Sequence, residues 1–93
     1  MSEKMTVSSG NIFEDVGFPP DEAAAMLARE TLLIELEKEL RKRGKKQREL
    51  AIELDIPRTR ISEVMNLKVR KFSMDKLVNL LHRAGKQVEI RVR

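Results

Sequence analysis

Cysteine, tryptophan and tyrosine are absent from the chain, and histidine occurs once, at His82. Without a thiol there is no disulfide, no thiolate nucleophile and no cysteine-ligated zinc. His82 lies between Leu81 and Arg83 with no second ligand type in the pattern, so it reads as a helix-flank residue rather than a ligand or base. Three phenylalanines leave few platforms on which single-stranded bases could stack. No glycine-rich phosphate loop of the G-x-x-x-x-G-K-S/T or G-x-G-x-x-G kind occurs. Glu35, Glu37 and Glu39 fall beside Lys38 and Arg41 and read as a solvated helix face, not a catalytic carboxylate pair. Met26, Met65 and Met74 read as core or surface fillers. No apolar run approaches the ~18 residues of a membrane span, and the N-terminus has no leader-like apolar segment. The expectation is a cytoplasmic chain that is not an enzyme and carries no cofactor or metal.

What is present is charge, unevenly spread. The 93 residues suit one small domain and carry a net charge of +4. Met1–Leu40 holds three basic and nine acidic residues, a net of −6; Arg41–Arg93 holds sixteen basic and six acidic, a net of +10. A basic C-terminal part points to a polyanionic partner.

The periodicity divides the chain into an arm, 1–18, partly flexible; a helical domain, 19–86; and a strand, 87–93. Within the arm, Ile12, Phe13, Val16 and Phe18 form an apolar segment expected to dock on something. A helix opens at Pro20, followed by Asp21 and Glu22, which suit the positive helix end. Leu32, Leu36 and Leu40 make its apolar stripe, and it runs to Arg43 before Gly44, with a break near Arg29 to Thr31 as the alternative. A second, short helix ends at Leu54. Asp55 makes a tight turn, and Pro57 opens a third helix running to about Asn66 with Ile61 and Met65 inward and Val64 as a further inward candidate. Ser73 caps a fourth helix, Met74 to Ala84, ended by Gly85. From Gln87 onward apolar and polar residues alternate, which predicts a half-buried strand with Val88, Ile90 and Val92 on one face.

Two short helices joined by a turn, the second exposing polar and arginine side chains, form the helix-turn-helix pattern. Gln47 through Ser62 resembles the Xre, or Cro-like, helix-turn-helix family. Ser9-Gly10-Asn11-Ile12-Phe13-Glu14-Asp15-Val16-Gly17 and Lys71-Phe72-Ser73-Met74-Asp75-Lys76-Leu77 are similar to segments of a subgroup that includes HigA-type antitoxins. Departures are Asp55 and Leu67 where glycine is usual, and Lys46 and Pro57 where capping side chains are usual. The resemblance implies a mostly α, lambda-repressor-like bundle of four to five helices with a short C-terminal strand. It also implies a nucleoid-associated repressor that autoregulates its operon as the antitoxin of a type II toxin–antitoxin module, with a HigB/RelE-type toxin as partner.

On this reading Arg58, Thr59, Arg60, Ser62 and Glu63 lie on the helix that enters the major groove of double-stranded DNA. Glu63 either accepts from a cytosine amino group or pairs with Arg60. Gln47, Arg48, Asn66, Lys68, Arg70 and Lys71 are expected at the phosphate backbone. Ile12 and Phe13 are assigned to a basic protein partner, and Val88, Ile90 and Val92 to a homodimer made by antiparallel pairing of two copies of the strand, since no second strand is evident. The alternatives are that Val7 or Ile12 supplies a partner strand within the chain, or that the toxin does. The competing function is a protein–protein adaptor on the same scaffold that reads no DNA.

Overall fold

The computed structural model describes residues 4–6 and 19–91. Among them are four α-helices: α1 (Pro20–Lys42), α2 (Gln47–Leu54), α3 (Arg58–Met65) and α4 (Met74–Arg83). A 3-10 turn, Val69–Lys71, joins α3 to α4, and two strands, β1 (Lys4–Thr6) and β2 (Gln87–Glu89), pair with each other. The mostly helical bundle with a C-terminal strand is as expected.

α1 is continuous, so the alternative of a break near Arg29 to Thr31 does not hold; Thr31 Oγ1 donates to the Leu27 carbonyl at 2.8 Å inside the unbroken ladder. Its 23 residues span about 34 Å. Leu32, Leu33, Leu36 and Leu40 are buried against Leu50, Ala51 and Leu54 of α2, Ile61 and Val64 of α3, Phe72, and Leu77, Leu80, Leu81 and Ala84 of α4. On α3 Ile61 and Val64 are fully buried, while Met65 is only half-buried at the core edge.

Each of the four helices ends at a left-handed residue: Gly44, Asp55, Leu67 and Gly85. After α2, Asp55 N donates to the Ile52 carbonyl and Ile56 N to that of Ala51 (3.2 and 3.0 Å). The same pair of bonds recurs at Leu67 and Lys68 after α3, and at Gly85 and Lys86 after α4. This closure reverses the chain while satisfying two terminal carbonyls. Aspartate adopts it more readily than most residues. Leucine at φ +52 carries about 1–2 kcal/mol of strain. Leu67 is half-buried against the core, which returns part of the ~1.5–3 kcal/mol that full burial of a leucine is worth and offsets some of that strain. At the other helix ends, Lys46 and Pro57 provide no side-chain cap, whereas Ser73 Oγ accepts from Lys76 N at 3.2 Å, as expected of a serine N-cap.

Two expectations are corrected. The chain does contain a second strand. Lys4–Thr6, read as part of a flexible arm, runs parallel to β2 with Met5 opposite Val88. The strand at 87–93 is therefore not left without a partner, which removes the argument that it must recruit its own copy. It is also shorter than expected: β2 stops at Glu89 and Ile90 lies beyond it. Ile12, Phe13 and Val92 lie outside the described residues.

The left-handed turn yields a stability order. Asp55→Gly should stabilise the fold by up to about 1 kcal/mol, and Asp55→Val should destabilise it by about 1–2 kcal/mol. Thermal melts then rank Gly above Asp above Val, with steps of about 4–8 °C per kcal/mol. A valine variant melting with the wild type would refute strain at this position.

Candidate nucleic-acid interface

α3 carries its apolar residues, Ile61 and Val64, on the inner side at zero exposure, which leaves Arg58 and Thr59 in its first turn facing solvent. That end of a recognition helix is the one that reaches base edges. Neither side chain has a partner within the described residues. Ser62 and Glu63 are half-buried one turn on. Asn66 is exposed, but its Nδ2 donates back to the Ser62 carbonyl at 2.8 Å. Arg60 is engaged from several sides. Its Nη1 donates to Glu63 Oε1 at 3.2 Å and to the Lys71 carbonyl at 3.1 Å, and its guanidinium carbon lies 5.7 Å from the centre of the Phe72 ring. Of the two roles left open for Glu63, the structure contains the pairing with Arg60.

The remaining candidates divide by location. Lys68 and Lys71 are exposed at the two ends of the basic loop after α3. Arg70, in the same loop, borders a hollow with Glu22, Ala25, Met26 and Arg29 of α1. Gln47 is half-buried at the first residue of α2; Arg48 is exposed and borders a shallow hollow with Ile52, Asp55 and Pro57 beside the turn. Arg58, Thr59, Lys68 and Lys71 thus remain as outward-facing groups at the start of α3 and along the loop that follows it.

α2 is held from both sides by arginines whose role sequence spacing did not reveal. Arg43, just past α1, donates through Nη2 to the Ala84 carbonyl at 2.7 Å and pairs with Glu53 of α2 and, at 3.6 Å, with Glu39. Arg83 of α4 donates through Nη1 to the carbonyls of Leu54 and Asp55, at 2.9 and 3.3 Å, at the left-handed turn. Lys86, buried at 8% exposure, meets Glu39 at 3.4 Å. These partners lie 28 to 41 residues apart for the two arginine–carbonyl ties, beyond any local pattern. Phe72, in the Lys71–Leu77 segment, is a core residue at 2% exposure.

This geometry agrees with the comparison with known families. The family model described as helix-turn-helix domain matches residues 12–93, and the chain belongs to that family. No curated protein and no solved structure matches it. The domain class is one whose second helix lies in the DNA major groove, so the chain is of the DNA-binding regulator type. No helix among the described residues is long and apolar enough to cross a membrane.

The Glu53 cluster has a pH signature. A hydrogen bond from Lys45, 2.7 Å from Oε2, and the charges of Arg43 and Lys45 hold the Glu53 carboxyl below its usual value, against a smaller opposing effect of desolvation. A depressed carboxylate stabilises the fold above its unfolded-state pKa, and that contribution is lost as pH falls through the folded one. The melting-temperature gap between wild type and Glu53→Gln should therefore be largest near neutral pH and close below the ordinary carboxylate range. A gap independent of pH from 7 to 3 would exclude this.

Proposed function

We propose that the chain is a sequence-specific DNA-binding repressor of the Xre type, acting as the antitoxin of a type II toxin–antitoxin module. The observation that carries the DNA reading is α3: its inner face is locked into the core while Arg58 and Thr59 stay free at its N-terminal end, and Lys68 and Lys71 are exposed in the loop that follows it. Arg58 suits bidentate recognition of guanine, and Thr59 suits a base edge or a thymine methyl. Gln47, Arg48, Lys68 and Lys71 serve the phosphates. The antitoxin reading draws on the resemblance of the Ser9–Gly17 and Lys71–Leu77 segments and on charge. A net of −6 over Met1–Leu40 complements an RNA-cleaving toxin, which must itself be basic.

Arg58→Ala should cost roughly 1–3 kcal/mol on the duplex upstream of the chain's own reading frame and relax specificity at one base pair. Lys71→Ala should weaken all duplexes alike and flatten the salt slope by about one unit. Equal losses for Arg58→Ala on that duplex and on random DNA would reduce Arg58 to a phosphate contact.

We also propose a homodimer, reading a near-palindromic operator with half-sites about 34–36 Å apart. With β2 already paired to β1, the support is no longer an unpaired strand. It is the apolar strip formed by half-buried Met74, Val78 and Val88 together with Ile90, which is 55% exposed. Sedimentation of the wild type at tens of micromolar should give a dimer, and Ile90→Arg should shift it to monomer. An Ile90→Arg chain that remains dimeric would move the interface elsewhere.

A further inference from the structure

We infer that Arg60 is a positioning residue for the DNA-binding surface: it clamps the basic loop Lys68–Lys71 onto α3 and does not itself touch DNA. This rests on the DNA-binding reading above and narrows the set of residues that carry it.

The loop is tied to α3 at both ends, and Glu63 takes part in both ties. At the near end the chain turns through Leu67, and Lys68 N donates to the Glu63 carbonyl at 2.9 Å. At the far end the Lys71 carbonyl accepts from Arg60 Nη1 at 3.1 Å, while the same nitrogen meets the Glu63 carboxylate at 3.2 Å. The guanidinium also lies over Phe72, whose ring is locked into the core at 2% exposure. One planar cation thus joins the third and sixth residues of α3, the last residue of the 3-10 turn and a core ring. One nitrogen, Nη1, donates to both acceptors while the plane of the guanidinium lies over the ring, so the side chain is held from three sides. Its charge is largely cancelled by Glu63, so it adds little to the attraction for a polyanion. It instead sets where Lys68 and Lys71 stand relative to Arg58 and Thr59. A loop free to swing would have to be ordered on binding, and that cost reduces affinity on every sequence.

The sign of one substitution separates this role from simple charge. Glu63→Ala makes the chain more basic, so charge alone predicts tighter binding to any duplex. A broken clamp predicts weaker binding. The test is anisotropy titration of a fluorescent random-sequence duplex at low, stated salt, with wild type, Arg60→Ala, Glu63→Ala, Lys71→Ala and Arg60→Ala/Lys71→Ala, alongside amide exchange on the same proteins.

Arg60→Ala and Glu63→Ala should each weaken binding about threefold to tenfold. In the Lys71→Ala background, Arg60→Ala should cost less than about twofold, because residues acting through one another are not additive. The amides of Lys71 and Phe72 should exchange about fivefold faster in Arg60→Ala, with those of Leu80 and Leu81 unchanged, which separates loosening of the loop from loss of the fold. Tighter binding by Glu63→Ala, fully additive losses in the double variant, or unchanged loop exchange would each overturn the clamp while leaving the DNA reading intact. A wild type that binds no duplex would overturn that reading and the clamp with it.

Discussion

The floor of leucines along α1 is the constraint on which the rest of the structure depends. Leu32, Leu33, Leu36 and Leu40 are each at most 1% exposed, and α1 packs directly on α3, α4 and the 3-10 turn. Truncating one such leucine typically costs about 2–5 kcal/mol. The net stability of a domain is about 5–15 kcal/mol. One leucine therefore decides a large share of whether α3 has anything to rest on. α3 owes its fixed orientation to this floor rather than to its own helix propensity: with eight residues and no side-chain cap, it would not persist alone in water.

α2 is held differently. Its main helical neighbour is α3, and its ends are secured by polar ties from outside the motif. Arg43 reaches it from the end of α1 and Arg83 from α4, the latter bonding the carbonyls at the left-handed turn. The angle between the two helices of the motif is thus set by burial on one side and by two arginines on the other. Arg43 also bonds the Ala84 carbonyl, so the ends of α1 and α4 are joined through the side chain that holds α2.

The helices, Asp55 in its left-handed turn and the Ser73 cap were legible because each is a local signal, written within one or two turns of chain. The buried leucine stripe was legible for the same reason, as was the outward position of Arg58 and Thr59 opposite Ile61. Leu33 joins the core because a helix packed on three neighbours buries a wider stripe than the spacing of Leu32, Leu36 and Leu40 suggests. What could not be read depends on residues far apart in sequence. The burial of Lys86 needs Glu39, the role of Arg83 needs the carbonyls of α2, and the engagement of Arg60 needs the chain to return at Lys71. The strand at Lys4–Thr6 is the extreme case. Three residues with little alternation reveal nothing until Gln87–Glu89 lies beside them.

That pairing brings Lys4–Thr6 and Gln87–Glu89, on either side of the helical body in sequence, together. Parallel strands need a crossover between them, and here the crossover is the whole helical body. Pairing strands so far apart in sequence carries a large loop-closure cost. The ladder is laid on a core that the leucines of α1 stabilise. It is a small clasp, three residue pairs set against a body of four helices. Residues 4–6 and 87–89 thus share one set of main-chain partners, so whatever holds either strand away deprives the other of its ladder.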